Sequence, residues 1–283
     1  MSPQRIVSHI SSSPLSFHFT MGLLKRIARK ILESDQRMVT AQTSVGQMQN
    51  LITALRPRAS GHELIRMGPD GDGGYLVPDD LSGISACLSP GVCSVSDFEK
   101  SCADLGMQVF MADKSVEGPA STHEKFHFIK KFVGSYSTSD FITMDEWVAS
   151  SNLDPNSDLL LQMDIEGFEY ETLLNISDHL MRRFRIIIIE FHALDALWNQ
   201  GFFKLAGRAF EKLLHTHACV HVHPNNCRGA VVKHGLSIPP VMEFTFLRKD
   251  RMKESSQKLV FPHPLDFDNT PNPTLKLPDC WSR

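Results

Sequence analysis

The stretch Leu159–Leu174 (LLLQMDIEGFEYETLL) constrains the fold of this chain more than any other segment. A short apolar run stops at acidic residues and a glycine, and an amphipathic segment follows from Phe168. This order predicts a buried parallel strand that ends in a loop and continues into a helix. Ligands of open α/β sheets bind outside the carboxyl ends of the strands, so Asp164 and Glu166 are predicted functional residues. The alternative is that they only cap the helix, since acidic side chains suit a helix N-terminus.

An upstream strand, a small-residue turn and a second strand form a pattern that is typical of nucleotide-binding sites. Ile84–Leu88 (ISACL) predicts the first strand, which runs into the turn SPGVCS with Gly91, and a helix begins near Ser96. Such a turn lets the backbone approach a ligand, and the helix N-terminus supplies N–H donors. The next predicted strand, Gln108–Ala112, ends in Asp113, and an acid at this position bonds ribose hydroxyls. The turn after the first strand and the acid after the second strand together predict an adenosine-containing ligand, although the turn has one glycine where GxGxxG is expected.

Further segments complete an alternation of strands and helices. The four consecutive isoleucines of Arg185–Phe191 predict a central parallel strand that is buried on both faces, and Glu169–Leu180 predicts the crossover helix before it. The other predicted elements are a strand at Phe126–Gly134, a strand and short helix within Ser139–Val148, a helix at Phe202–His215, a strand at Cys219–His223 and a strand at Val241–Leu247. The last strand alternates apolar and polar residues, as a closing antiparallel strand does. The sequence therefore predicts an α/β fold with a mostly parallel sheet.

The two ends of the 283-residue chain differ in composition from its middle. Residues 1–32 contain no Asp or Glu, and the basic amphipathic segment MGLLKRIARKILES begins within them at Met21. This segment predicts a transit peptide, a helix on an anionic membrane surface through residues 21–33, or a plain extension that packs on the domain. The Pro-, Asn- and Asp-rich tail predicts an extended arm on the domain. The predicted boundaries are 1–56 for the leader and basic helix, 57–250 for the folded domain and 251–283 for the arm.

Composition narrows the classes of function. The formal net charge is −3, from 29 basic and 32 acidic residues, so no basic excess indicates a nucleic-acid partner. The six cysteines form no CxxC pair and no regular framework, which predicts free thiols in a reducing compartment. No segment approaches the roughly 18 apolar residues that cross a bilayer. We therefore expect a soluble, cytoplasmic protein unless residues 1–32 direct it to an organelle, and the oligomeric state stays open.

The glycine-rich loop Met67–Leu81 (MGPDGDGGYLVPDDL) is a further candidate for ligand contact. Its four glycines and four aspartates predict tight turns and close approach of the backbone to a ligand. Asp72, Gly74 and Tyr75 are the residues that we expect to contact a cofactor there. The alternative is an ordinary surface turn.

Three segments of this sequence resemble FkbM-type S-adenosylmethionine-dependent methyltransferases: LLLQMDIEGFEYETL, TMDEW at Thr143–Trp147, and IIIIEFH. In that family a K-x-D-x-E-G-x-E sequence ends the fourth strand, and a T-L-D-x-W sequence precedes it. Gln162 replaces the usual basic residue, Met144 the usual leucine, and GVC at Gly91 departs from G-x-G. The resemblance extends over roughly residues 62–281, because DGDGGYLVPDD, HPLDFDN and LPDCW are also similar to a branch of the family. It implies a Rossmann-like class I methyltransferase fold.

The resemblance also implies roles for individual residues. Gly91 would lie under the methionine portion of S-adenosylmethionine, Asp113 would bind its ribose, and Asp164 would lie beside the methyl group. The full set of expected cofactor-binding residues is Asp72, Gly74, Tyr75, Gly91, Ser96, Phe98, Asp113, Lys114 and Asp164. Methyl transfer to oxygen requires positioning and a nearby base. Asp164, His192 and Glu166 are the expected catalytic residues, and Asp164 and His192 are favoured because they end adjacent strands.

A second constellation follows from the same topology. Predicted strand ends on one side of the sheet carry Asp164, Glu166, Glu190, His192, His221 and His223. Carboxylate and imidazole groups are a sensible ligand set for a divalent ion such as Mg²⁺. Asp164, His192 and His223 are the predicted metal ligands. The alternative is that His221 and His223 alternate on a strand, with one packing and the other facing substrate.

These observations favour a methyltransferase that O-methylates a sugar, a glycan or another hydroxylated small molecule. One alternative is a metal-dependent hydrolase or oxygenase that uses the Asp/Glu/His cluster. Another is a non-catalytic binding module on the same fold, which the departure of GVC from G-x-G motivates. An NAD-dependent dehydrogenase is disfavoured, because the glycine-rich fingerprint of that class is absent from the sequence.

Overall fold

The computed structural model describes residues 39–92 and 95–282. The chain divides into two compact units, Met1–Ala41 and Gln42–Arg283, and every element described below belongs to the second. The basic segment at residues 21–34, which carries the predictions of a transit peptide or a membrane-surface helix, lies outside the described residues.

A seven-stranded sheet forms the centre of the second unit. Its strands in chain order are β3 (Ile84–Pro90), β4 (Gln108–Ala112), β5 (Phe126–Ile129), β8 (Asp158–Met163), β9 (Phe184–Phe191), β10 (His217–Pro224) and β13 (Met242–Arg248). The spatial order is β10-β13-β9-β8-β3-β4-β5. Neighbours from β9 to β5 pair in parallel, and β13 runs antiparallel to both β9 and β10. The predicted α/β fold with a mostly parallel sheet is therefore confirmed.

Shorter strands and helices surround this sheet. The two-stranded pairs are β1 (Leu64–Met67) with β2 (Tyr75–Pro78), β6 (Phe132–Val133) with β7 (Phe141–Ile142), and β11 (Val231–Lys233) with β12 (Leu236–Ile238). The α-helices are α1 (Val45–Leu55), α2 (Asp97–Asp104), α3 (Met144–Ser150), α4 (Glu169–Asn175), α5 (Asp178–Arg183) and α6 (Gln200–Thr216). Short 3₁₀ turns occupy Leu194–Trp198, Lys249–Arg251 and Asp279–Trp281. Within the described residues, no helix is long and apolar enough to cross a membrane.

The alternation of side chains along β9 explains the two hydrophobic layers of the core. Ile187 and Ile189 pack into a large cluster with α1, α4 and α6, whereas Ile186 and Ile188 pack into a smaller cluster with α2 and the β1–β2 hairpin. All eight residues of β9 are buried. A strand covered on both faces needs apolar residues at every position, which is why the isoleucine run forms the centre of the sheet.

Three elements differ from the sequence-based expectation in their division or in their place in the sheet. The crossover helix is two helices, because Ser177 accepts the N–H of Leu180 and starts α5 as a new N-cap. The predicted strand at Phe126–Gly134 is the two strands β5 and β6. The antiparallel strand β13 lies between β9 and β10 rather than at the edge of the sheet.

The segment after β13 lies along the domain surface. Trp281 is fully buried, lies edge-to-face on Phe244 of β13, and donates its indole N–H to the carbonyl of Ser237 at 3.1 Å. Asn226 holds this segment through hydrogen bonds with Thr270 and Asn272. The C-terminal segment thus contributes to the core and lies close to the carboxyl end of β10.

Candidate active site

Two adjoining cavities open at the carboxyl ends of β3, β4, β8 and β9. Both are lined by Gly91, Asp113, Ser115, Asp164 and Glu166. The first, which we call the apolar cavity, has a volume of about 320 Å³ and is also lined by Ala112, Phe132, Val133, Phe141, Ile165 and Phe168. The second, which we call the acidic cavity, has a volume of about 680 Å³ and is also lined by Asp72, Glu190, His192, Ala193, Asp195, Asn225, Cys227, Arg228, Pro240, Val241 and Thr270.

Gly91 forms the floor that the two cavities share. Its φ is +87°, and its N–H donates to the carbonyl of Ala112 at 3.0 Å. A Cβ at this position would lie 1.6 Å from the carbonyl oxygen of Asp164. The turn after β3 therefore packs directly on the backbone that follows β8, and only glycine fits this approach.

Asp113 follows β4 and lies at the rim of both cavities. Its Oδ1 accepts the N–H and the hydroxyl of Ser115, each at 2.7 Å. The side chain is mostly buried, and these two donors fix the carboxylate. In dinucleotide-binding folds, an acid at the end of the second parallel strand is the group that hydrogen-bonds a ribose hydroxyl.

Asp164 and Glu166 leave β8 in different environments. Burial raises the pKa of Asp164 to about 7, although nearby His192 acts in the opposite direction. The Oδ1 atom of Asp164 is buried and accepts no hydrogen bond within the described residues. Glu166 has a positive φ of +55°, and its side chain is 86% exposed. The chain reverses here, so that the side chain of Asp164 is 30% exposed and that of Glu166 86% exposed, although both line the cavities.

Glu169 anchors the loop after β8 and orients His192. Its side chain is fully buried, and its Oε1 accepts the N–H groups of Ile165 and Gly167. The same oxygen lies 3.0 Å from Nδ1 of His192. Burial lowers the pKa of His192, but the bond to Glu169 outweighs it, and the net shift is upward. Tyr170 donates its hydroxyl to the carbonyl of His192 at 2.7 Å, which fixes the backbone as well.

Glu190 completes a compact group with Asp164 and His192. Ligand atoms of these three residues lie within 4.8 Å of one another. Glu190 Oε1 is 3.4 Å from His192 Nε2, and Asn225 donates to Glu190 Oε2 at 3.2 Å. Burial, followed by the charge of Asp164, raises the pKa of Glu190 well above its usual value. Several acids therefore face one imidazole in this corner of the acidic cavity.

His223, the third predicted metal ligand, lies outside this group. Its Nδ1 is 3.7 Å from Asp266, and the same carboxylate lies 2.9 Å from Nε2 of neighbouring His221. The physical reason is the strand order, because β13 lies between β9 and β10 and separates His223 from His192. His221 and His223 instead contact the C-terminal segment that carries Asp266.

The other predicted cofactor-binding residues occupy different positions. Asp72 lines the acidic cavity, whereas Gly74, Tyr75, Ser96, Phe98 and Lys114 line neither cavity. Tyr75 is buried edge-to-face on Phe98, and its hydroxyl accepts from Gln162 at 3.1 Å. Ser96 accepts the N–H of Ala120, and Lys114 forms an ion pair with Asp140. Gly74 allows a turn in which a Cβ would meet the carbonyl oxygen of Pro69 at 2.0 Å.

Several residues of this site were not among the residues predicted to bind cofactor or to act in catalysis, although Glu190 belonged to the predicted Asp/Glu/His constellation. Glu190 ends the isoleucine run and Glu169 is the last acid of the segment DIEGFE, so both carried the signal of acids that follow a buried strand. Phe132, Phe141 and Phe168 come from three separate segments, and their rings contact one another at centroid distances of 5.4 and 5.7 Å around Phe141. No local sequence pattern predicts such a cluster.

Comparison with protein families gives a match to part of the chain. Residues 83–215, from β3 to the last turn of α6, match the family model described as the methyltransferase FkbM domain. The predicted resemblance is therefore confirmed. No curated protein matches the chain at a significant level.

Solved structures offer a broader comparison. Magnesium protoporphyrin IX methyltransferase from Synechocystis PCC 6803, solved with bound SAH, is 14% identical, with 60% of this chain and 76% of that chain covered at a TM-score of 0.32. The 1,6-didemethyltoxoflavin-N1-methyltransferase from Burkholderia thailandensis is 11% identical, with 86% and 93% covered at a TM-score of 0.31. These scores are low, and the fold assignment rests on the sheet order described above.

Proposed function

We propose that this chain, whose residues 83–215 carry a methyltransferase FkbM domain, uses S-adenosylmethionine to methylate a hydroxyl group of a sugar, a glycan or another hydroxylated small molecule. The observation that carries this proposal is the meeting of two chemically different cavities at Asp164 and Gly91. One cavity suits an aromatic base, and the other suits a polar acceptor. Methyl transfer needs such a junction, because the donor and the acceptor must approach in line.

The apolar cavity is the proposed site of the methyl donor. Phe132, Phe141 and Phe168 offer ring faces and edges to an adenine, since aromatic groups pack well against each other. Asp113, held by Ser115, would accept hydrogen bonds from the ribose hydroxyls. The methionine portion would then pass Gly91 toward the acidic cavity. Carboxylates in that direction favour the positive charge of the sulfonium.

The transfer itself follows from the groups at the junction. The acceptor oxygen attacks the methyl carbon, the carbon–sulfur bond breaks, and its electron pair stays on sulfur to give S-adenosylhomocysteine. The hydroxyl proton passes to the group formed by Asp164, Glu166 and His192. Burial places the pKa of Asp164 at about 7, so this carboxylate can exchange a proton near neutral pH, where general bases work well.

Charge in the acidic cavity supports a neutral acceptor. Asp72 and Asp195 line the cavity beside the junction residues, and Arg228 is the one lysine or arginine among its lining residues in the described part of the chain. Such a lining repels phosphates and other anions. A sugar or glycan fits this charge, whereas a nucleic acid does not.

Three other expectations stay predictions. They are membrane contact through residues 21–33, a cytoplasmic location, and the domain boundaries at residues 56/57 and 250/251.

A divalent cation such as Mg²⁺ is a further proposed cofactor, because Asp164, Glu190 and His192 form a ligand set. The same group supports the second candidate function, a metal-dependent enzyme that needs no methyl donor. A chelator-sensitive hydrolysis or oxygenation without S-adenosylmethionine would favour this candidate.

Transfer of a radiolabelled methyl group from S-adenosylmethionine to a panel of sugars, glycans and hydroxylated small molecules tests the proposal. The wild-type chain is compared with Asp164→Asn and with Asp104→Asn, an exposed acid of α2 that serves as the matched control. We expect label in an alkali-stable methyl ether for the wild type and the control, and a loss of at least 100-fold for Asp164→Asn. Equal turnover by Asp164→Asn would contradict the assignment.

A further inference from the structure

The corner of the acidic cavity formed by Asp164, Glu190 and His192 has the geometry of a ligand set around one ion. Nε2 of His192 lies 3.4 Å from Glu190 Oε1 and 3.9 Å from Asp164 Oδ1. Both separations are longer than in a typical N–H···O hydrogen bond. Two adjacent ligands of an octahedral ion with bonds of about 2.1 Å lie roughly 3 Å apart. A small inward movement of the side chains therefore brings all three atoms into coordination distance.

The support of the imidazole is a second observation that points to a cation. Oε1 of Glu169 accepts two backbone N–H groups and lies 3.0 Å from Nδ1 of His192. Because Nδ1 is held in this way, Nε2 is the ring nitrogen that faces the oxygens of Asp164, Glu190 and Glu166. A carboxylate that fixes a histidine through its other nitrogen is the usual support of a metal-binding histidine.

The buried oxygen of Asp164 gives a third observation. Its Oδ1 has no hydrogen-bond partner within the described residues, although buried carboxylate oxygens are normally satisfied. The oxygen lies 3.9 Å from Nε2 of His192. A cation bound between these two atoms would satisfy the oxygen.

We propose that Asp164, Glu190 and His192 bind one Mg²⁺ or Mn²⁺ ion, and that the acceptor binds the same ion through two adjacent oxygens. Three protein ligands leave coordination positions open, and those positions face the acidic cavity. Hard cations take such oxygen ligands readily. The substrate class is thus a vicinal diol or an equivalent pair of oxygens. This class rests on the proposed methyltransferase function, whereas the metal site does not.

In this proposal, Asp164 and His192 bind the ion, and Glu166 is the residue that accepts the proton. With Asp164 and His192 occupied as ligands, Glu166 remains to accept the proton of the coordinated hydroxyl. Its carboxylate lies 3.5 Å from His192 Nε2 and its side chain is 86% exposed, so the proton passes from there to water. The freed oxygen attacks the methyl carbon, and the sulfur keeps the electron pair of the broken bond.

Titration of the full chain with Mn²⁺, followed by electron paramagnetic resonance of the free ion, tests the metal site without methyl transfer. We expect one bound ion per chain, at least tenfold weaker binding in Glu190→Gln and in Glu169→Gln, and a change of less than threefold in Glu243→Gln. Glu243 is the matched control, because it is buried directly opposite Glu190 on β13 but lies outside the ligand set. Circular dichroism verifies that each variant is folded. No bound Mn²⁺ in the wild type, or equal binding by Glu190→Gln, would overturn the site.

Water-proton relaxation by bound Mn²⁺ tests the acceptor class, in the presence of S-adenosylhomocysteine. We expect a high relaxation enhancement, because water fills the open positions. cis-1,2-Cyclohexanediol should lower this enhancement, whereas cyclohexanol at the same concentration should not. Equal effects of the two alcohols would overturn the chelating acceptor. Since neither titration involves turnover, their failure is distinguishable from failure of the methyltransferase function.

Discussion

Gly91 offers a direct way to perturb the junction of the two cavities with one methyl group. The change Gly91→Ala introduces a Cβ that would lie 1.6 Å from the carbonyl oxygen of Asp164. An ordinary carbon–oxygen contact is about 3.3 Å, so the two backbones must separate by roughly 1.7 Å. The new side chain also forces a non-glycine residue into a φ of +87°.

Two energetic terms contribute to the expected loss of stability. A left-handed conformation costs about 1–2 kcal/mol for a residue with a Cβ, and overpacking at a close contact costs about 1–3 kcal/mol. We therefore expect Gly91→Ala to reduce the free energy of unfolding by about 2–5 kcal/mol. Since a 1 Å misplacement near a reacting centre lowers rates by about 100-fold, binding of the donor and turnover should fall as well.

Gly106→Ala is the matched control. Gly106 has a similar φ of +99°, but nothing lies within 4 Å of the point that its Cβ would occupy, so this substitution carries the conformational term alone. Urea denaturation of both variants should give a loss of about 1–2 kcal/mol for Gly106→Ala, and calorimetry with S-adenosylhomocysteine should give wild-type affinity for this control only. Equal stability losses in the two variants, together with wild-type affinity in Gly91→Ala, would refute the reasoning about the contact with Asp164.

Three other substitutions give independent predictions. Burial alone would raise the pKa of Asp158, but hydrogen bonds from Arg248 and Arg185 outweigh burial, and the net shift of this pKa is downward. The ionised carboxylate therefore stabilises the fold at pH values above its unfolded pKa of about 3.9. Asp158→Asn should therefore lower the free energy of unfolding by about 1–3 kcal/mol at pH 7. In urea titrations, the difference in this free energy between variant and wild type should shrink as pH falls below about 4. A difference that is constant with pH would contradict this. Trp281→Ala, which empties a fully buried position, should lower stability by about 3–5 kcal/mol in the same assay, and a loss below 1 kcal/mol would show that the C-terminal segment does not pack as described. Phe141→Ala should weaken binding of S-adenosylhomocysteine by about 5–100-fold while unfolding is nearly unchanged, and unaltered affinity would remove this ring from the donor site.

Much of the sheet was predictable, because each parallel strand is an apolar run that ends at a polar group. The limits of β4 at Gln108–Ala112 agree with the prediction, and β8 and β9 agree within one or two residues. The same rule predicts that Asp113, Asp164 and His192 lie at one edge, since carboxyl ends of parallel strands meet there. Their roles in binding and catalysis stay predictions.

Features that depend on distant segments were not predictable. The insertion of β13 between β9 and β10 separates His223 from His192, and the order of strands is a property of the whole sheet. The contact of Glu169 with His192 requires the chain reversal at Glu166 and Gly167, where φ is +55° and +104°. A pattern of residue types carries no signal for an unusual φ at a glutamate, because most residues avoid this region.

The replacement of the family's basic residue by Gln162 has a structural consequence that the sequence did not indicate. Gln162 is buried and links Ser89 to the hydroxyl of Tyr75, and Ser89 in turn contacts Glu99. Burial raises the pKa of Glu99, although the hydrogen bond from Ser89 acts in the opposite direction. A hydrogen-bonded chain of buried polar side chains therefore begins at Ser89, two residues before Gly91.

Calorimetric titration with S-adenosylhomocysteine tests the central claim, that the apolar cavity and Asp113 form the site of a methyl donor. The full chain is compared with Asp113→Ala and with the exposed-acid control Asp104→Ala. We predict one site of micromolar affinity in the wild type and the control, and affinity lowered at least tenfold in Asp113→Ala. Absence of binding in the wild type, or equal affinity in Asp113→Ala, would contradict the account.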